Sequence, residues 1–294
     1  MQFAKGKLIA IGGAEDKGTD LEKGEIHRNN LNFFELGILR RIVEESGGPL
    51  SRIEVITTAS TIPYEVGDNY LNAFGKIGCT NVDVMHIRNR ADTNNKEYQQ
   101  RIATCDVVMF SGGNQLRLSS IFGGTALFQK IMERYLNDER FVIAGTSAGA
   151  MAMSNTMIYE GNAARAHLKS EVKITTGLGF MDNVIFDSHF EKRGRFVRLA
   201  QAVASNPSCI GIGLGAGWLS SAAKDPQAGA CATAALGAAL IAHAALCLPK
   251  VRLHVRPAQE WWLAPIVGVA TGLVTASTGV FAIPSVPYLQ ALRL

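Results

Sequence analysis

A chain of 294 residues, 47% hydrophobic and 18% charged, has room for one large α/β domain plus an appendage, and suits a globular protein with an unusually apolar portion. The net charge of +4 comes from scattered basic residues, which argues against a nucleic-acid partner. The five cysteines (Cys79, Cys105, Cys209, Cys231 and Cys247) form no C-x-x-C pair and are odd in number, which argues against a disulfide framework or a metal knuckle and for buried free thiols.

Lys5 and Lys7 introduce a short apolar run, Leu8–Ile11, too brief for a signal-peptide core. The run meets Gly12, Gly13, Glu15 and Asp16, reads as a first strand and turn, and places the front of the chain in the cytoplasm. Strands are predicted at Lys7–Ile11, Ile53–Thr57, Val82–Ile87, Val107–Ser111, Phe141–Gly145, Val184–Asp187 and Cys209–Gly213. Helical patterns at Asn30–Glu45, Tyr64–Lys76, Glu97–Ala103, Ala126–Asn137 and Arg193–Ala204 separate them. Near-continuous apolar strands divided by helices mean an α/β fold: a doubly wound, mostly parallel sheet with helices on both faces. Working residues in such sheets sit at the carboxyl ends of the strands.

Three strand ends carry chemistry. Ser111-Gly112-Gly113-Asn114-Gln115 offers glycine amides for an oxyanion hole, with a purely structural turn as the alternative. Gly145-Thr146-Ser147-Ala148-Gly149-Ala150 is a G-x-S-x-G at a strand-to-helix turn. There small neighbours permit a strained serine whose hydroxyl stands above the sheet, and the amide of Ala148 points at a developing oxyanion. Asp187-Ser188-His189-Phe190 closes a third strand and supplies the base. Of the other histidines, His27, His86, His167 and His254 lie in polar or mixed segments without a supporting pattern, and His243 lies in an apolar tail. Arg193, Arg195 and Arg198 follow, the last two on one helical face; fixed guanidinium forks suit a carboxylate-bearing substrate, and a solvated basic helix is the alternative. The order Ser147 then His189 argues against the α/β-hydrolases, which run Ser, acid, His.

The character of the chain changes near Gly215. Ala228–Leu248 and Leu263–Leu292 carry no formal charge, and Trp261 and Trp262 stand at the mouth of the second. Each stretch is long enough to cross a hydrocarbon core of roughly 30 Å as a helix, with buried Ala/Gly-rich core helices as the alternative. The division expected is therefore a hydrolase at 1–215 and a membrane-like helical tail at 216–294.

The run Ile11-Gly12-Gly13-Ala14-Glu15-Asp16, then Gly112-Gly113-Asn114-Gln115-Leu116-Arg117-Leu118, then the Ser147 and His189 motifs with their arginines, resembles cyanophycinase, a serine peptidase family with a class I glutamine amidotransferase-like fold. The resemblance spans about residues 5–215. It implies hydrolysis of cyanophycin, an aspartate polymer bearing arginine on each side chain, to β-Asp-Arg dipeptides. Ser147 would be the nucleophile and His189 the base, with substrate contacts from Gln115, Asp187, Arg193, Arg195 and Arg198, no metal or cofactor, and a homodimeric state. An aspartyl dipeptidase of the same fold is the alternative, and a glutamine amidotransferase would need cysteine where Ser147 stands. Two positions depart from the family: Ser188 stands for its usual glutamine, and Ala216, after Gly211-Ile212-Gly213, stands for the triad glutamate. The second departure implies impaired activity, with Asp187 the only nearby carboxylate to consider as a substitute. The tail, from Trp262-Leu263-Ala264-Pro265 through Thr278-Gly279-Val280-Phe281-Ala282-Ile283-Pro284 to Leu292, is similar to a fragment of the TauE/SafE anion exporters, which implies membrane contact or a fusion without catalysis.

Overall fold

The computed structural model describes residues 4–13, 37–161, 171–190 and 195–215. Arg193, Ala216, the whole apolar tail and the part of the predicted first helix before residue 37 lie outside the described residues.

Five strands form one all-parallel sheet in the order β1-β5-β4-β2-β3. They are β1 (Lys7–Ile11), β2 (Ile53–Ile56), β3 (Val82–Met85), β4 (Val107–Phe110) and β5 (Val142–Thr146). Every residue of β2, β4 and β5 is buried, as apolar strands covered on both faces must be. The period-2 alternation divides the core. Val108, Phe110, Ile143 and Ile56 face one cluster, where α3 (Lys96–Thr104), α4 (Gln115–Phe122) and α5 (Ala126–Asn137) supply Ile102, Leu118, Phe122, Leu127 and Ile131. Val107, Met109, Val142 and Val55 face the other, where α1 (Ile38–Glu45) and α2 (Pro63–Lys76) supply Leu39, Ile42, Val43, Tyr70 and Phe74. Helices thus cover both faces.

The chain leaves β2 towards β3 but leaves β4 towards β5, so the carboxyl ends of β2 and β4 flank the point where winding reverses. Open α/β sheets place their ligand crevices there. Beyond β5 come the short helix α6 (Ala148–Met151), an antiparallel pair β6 (Thr156–Glu160) and β7 (Lys173–Thr176), then β8 (Val184–Asp187), α7 (Phe196–Ser205) and β9 (Ile210–Gly213). Leu199, Ala202 and Val203 of α7 pack with Ile185, Phe190 and Met151 as a third cluster.

The sequence pattern misses some of this. Strands β8 and β9 pair in parallel with each other rather than joining the five-stranded ladder. Within the described part of the predicted Asn30–Glu45 run, a helix begins at Ile38, with Gly37 extended at φ −68°, ψ 148°. The β6–β7 pair and helix α4 were not expected, although Asn114 accepting the Leu116 N–H at 2.9 Å is an ordinary helix-start signal. Among the described residues no helix is long and apolar enough to cross a membrane.

Candidate active site

Strand β5 ends at Thr146, and Ser147 takes φ 50°, ψ −109° before α6 starts. A non-glycine residue in that region carries about 1–3 kcal/mol of strain, held by its surroundings. Glycines on either side allow it. A Cβ at Gly145 would come within 2.6 Å of Met153 Cε, and one at Gly149 within 2.4 Å of the Phe110 carbonyl oxygen. His189, two residues beyond β8, is also left-handed at φ 50°. The Ser147 hydroxyl and His189 Nε2 lie 3.0 Å apart.

What aligns the two is the end of β1. The Ser147 N–H donates to the Ile11 carbonyl at 3.0 Å and the His189 N–H donates to the Gly12 carbonyl at 2.9 Å. Two consecutive carbonyls, the last of β1 and the one just beyond it, therefore hold both strained backbones. The imidazole lies directly against Gly13 (φ +101°), where a Cβ would stand 2.4 Å from Nε2. Gly12 meets the end of β9, since a Cβ there would lie 2.3 Å from the Gly215 nitrogen. In the sequence Ile11 closes the first strand, Gly12 and Gly13 open its turn, and all three carry part of the family resemblance. The repeated glycine after an apolar strand, a sign of close backbone approach, is the signal that marks their positioning role.

The oxyanion candidates lie around the same hydroxyl. A Cβ on Gly112 would be 3.4 Å from Ser147 Cβ and 4.0 Å from its Oγ. Gly113 (φ +139°) packs its Cα on the Ala59 carbonyl, where a Cβ would come within 2.1 Å of the oxygen. Among the described residues no backbone carbonyl takes the N–H of Gly113 or Ala148. The Gln115 amide nitrogen is bonded to the carbonyls of Ile158 (2.9 Å) and Tyr159 (3.4 Å), so that end of the side chain ties α4 to β6.

The acidic and basic residues around His189 call for a correction. Asp187 is fully buried, and both its carboxylate oxygens face guanidinium groups. Arg195 Nη1 lies 3.1 Å from Oδ1, Arg198 Nε lies 2.9 Å from Oδ2, and Arg198 Nη2 also bonds Oδ1. Arg198 is 5% exposed, and its remaining nitrogen donates to the Gly161 carbonyl at 3.3 Å. Arg195 Nη1 also donates to the Ser188 carbonyl at 2.7 Å. Asp187 and Arg198 thus form an internal ion pair rather than a substrate-facing surface, with both carboxylate oxygens of Asp187 engaged by guanidinium groups. Arg198 lies in the first turn of α7 and Arg195 caps its start. Their carboxylate partner belongs to the protein, a tertiary pairing that no local pattern reveals. Ser188 is buried too, its hydroxyl 3.2 Å from Met151 Sδ, so it faces the core rather than a substrate.

The profile of peptidase family S51 matches residues 32–219. Cyanophycinase of Geminocystis herdmanii is 33% identical over 213 residues, covering 72% of this chain and 72% of that protein. Cyanophycinase of Synechococcus elongatus is 34% identical over 210 residues, covering 71% of this chain and 60% of that protein. The chain therefore spans less than two thirds of the second relative's length. A crystal structure of a peptidase from an acI-B1 Actinobacterium superposes with a TM-score of 0.51 at 20% identity, covering 72% of this chain and 81% of that one, and shares the fold.

Proposed function

The chain belongs to peptidase family S51, and from that premise we propose that it is a cyanophycinase-like serine exopeptidase with Ser147 as nucleophile and His189 as general base. The observation that carries the reading is the 3.0 Å approach of the Ser147 hydroxyl to His189 Nε2. In this mechanism Nε2 takes the hydroxyl proton as Oγ attacks the scissile carbonyl, and the oxyanion is met by the amides of Gly113 and Ala148. The imidazolium then returns the proton to the departing amine, leaving an acyl-enzyme. A water deprotonated by the same nitrogen releases the β-Asp-Arg product and restores the serine.

Asp187, Arg195 and Arg198 act as a positioning cluster in this reading, holding the end of β8 so that His189 keeps its left-handed backbone. Arg193 and Gln115 remain as candidate substrate contacts. Ala216 stands where the family's acid is expected, and neutralising that acid in a serine protease triad lowers turnover by about 10⁴-fold. Activity is therefore slow, and Ala216→Glu should raise it.

The test is release of β-Asp-Arg from the polymer together with labelling by a fluorophosphonate probe. Both are expected in the native chain and absent in Ser147→Ala. Labelling that persists in that variant refutes the assignment, and turnover of Asp-Xaa dipeptides without polymer cleavage favours the dipeptidase alternative. Residues 216–294 form a second unit in this proposal. The family match stops at 219, and the uncharged runs Ala228–Leu248 and Leu263–Leu292 support a membrane association. Release of the full chain into the soluble fraction by sodium carbonate would overturn that part.

A further inference from the structure

A cavity of about 420 Å³ opens beside the carboxyl end of β2, lined by Thr61, Ile62, Pro63, Tyr64, Glu65 and Arg88. Packed loops tie its lining to the site around Ser147. Gly112 lies against the serine, Gly113 packs on Ala59 and Ser60, and Thr61 follows directly. The Asn114 N–H donates to the Ala59 carbonyl at 2.9 Å and locks the two loops together. The cavity thus flanks the point where winding of the sheet reverses.

Its chemistry is mixed in sign. Glu65 is exposed, and among the described residues it forms no ion pair. Arg88 is half-buried, with Nη1 fixed on the Ser60 carbonyl at 3.0 Å and its backbone N–H on Asp92 Oδ2 at 2.7 Å. The same lining includes Tyr64, 68% exposed with its ring 4.4 Å from that of His86, and Ile62, 53% exposed. One carboxylate, one anchored guanidinium and an exposed aromatic face match a ligand carrying both a guanidinium and a carboxylate.

We propose that this cavity is an outer subsite for one arginyl arm of the polymer, and the proposal rests on the cyanophycinase-like reading above. An arginine joined through its α-amino group to an aspartate side chain keeps a free α-carboxylate and a free guanidinium. Arg88 takes the carboxylate, Glu65 takes the guanidinium, and the Tyr64 ring stacks on the guanidinium plane. The end of β2 lies two strands from β5, about 10 Å at the usual strand spacing. That is about three residues of extended polymer backbone, at about 3.5 Å each. The subsite therefore engages an arm about three units from the scissile bond, and only chains longer than that gain from it.

Binding to the uncleaving Ser147→Ala protein, followed by calorimetry with synthetic β-Asp-Arg oligomers of two and of five units, is the test. The longer oligomer should bind about tenfold more tightly. Glu65→Lys should abolish that gain while leaving affinity for the shorter oligomer unchanged, and Arg88→Gln should do the same. Equal affinity for both lengths in the Ser147→Ala parent, or a length gain that survives Glu65→Lys, overturns the subsite and leaves the peptidase reading standing. If neither oligomer binds, both readings are overturned. Glu65 is exposed and unpaired among the described residues, so its substitution does not threaten folding.

Discussion

Replacing Gly13 by alanine should disarm the serine without touching either member of the Ser147–His189 pair. The new Cβ would stand 2.4 Å from His189 Nε2 and 2.5 Å from Cε1, against about 3.5 Å for an ordinary contact. The ring must retreat by about 1 Å, which stretches the 3.0 Å approach to the Ser147 hydroxyl beyond the reach of a hydrogen bond, about 3.2 Å. Misplacement of a reacting group by about 1 Å costs about 10²-fold in rate. The alanine would also carry about 1–3 kcal/mol of backbone strain at φ +101°. Gly78→Ala separates the two effects, since Gly78 has φ +89° with nothing within 4 Å of its Cβ position. The assay is the second-order rate of Ser147 labelling by a fluorophosphonate, with urea midpoints for both variants. Both variants should lose stability, and Gly13→Ala alone should lose labelling. If Gly13→Ala labels within about twofold of the native rate, the imidazole is not held against Gly13 and the reasoning fails.

Other outcomes follow from the same geometry. Arg198→Ala leaves the buried Asp187 carboxylate with Arg195 alone, and breaking a buried pair costs about 3–5 kcal/mol; urea denaturation should show a loss near the lower end, and a loss under about 1 kcal/mol would mean the pair is not structural. Burial pushes His86 below its ordinary value of 6.5, with Asp68 opposing and Arg88 adding to the shift. The unfolded chain therefore binds that proton more readily than the folded one. Stability should be intact above about pH 6.5 and fall as pH drops towards the depressed value, a slope that His86→Asn removes. If stability between about pH 7.5 and about pH 5.5 is equally sloped in both proteins, His86 is not the titrating group. Cys105, whose thiol burial pushes up to about 12, should resist alkylation in the folded protein and react on unfolding, as followed by mass spectrometry.

The sequence made the parallel sheet legible because β1, β4 and β8 are short apolar runs with abrupt polar or glycine ends. The predicted Lys7–Ile11 and Val184–Asp187 coincide with the observed strands. The strand-end rule led to Ser147 and His189 for the same reason. Tertiary choices were not legible. The alternation in Thr156–Glu160 is too short to announce an antiparallel pair, and nothing local says that Val184–Asp187 selects Ile210–Gly213 as its partner. Arg198 is the sharper lesson. A guanidinium beside a presumed nucleophile reads as substrate recognition until the buried Asp187 appears on its inner side. Tyr64, Glu65 and Arg88 carried no signal at all, since their proximity depends on β2 and β3 lying side by side.

The grip of Ile11 and Gly12 on two distant backbones has a consequence for biosynthesis. Strand β1 leaves the ribosome before any other element described here, yet its last carbonyl and the one that follows find their partners at residues 147 and 189 only when those have been made and docked. Contacts of such long sequence separation form late. A nascent or half-assembled chain therefore presents an unarmed hydroxyl, and reactivity towards a serine probe becomes a timer that starts when the fold closes.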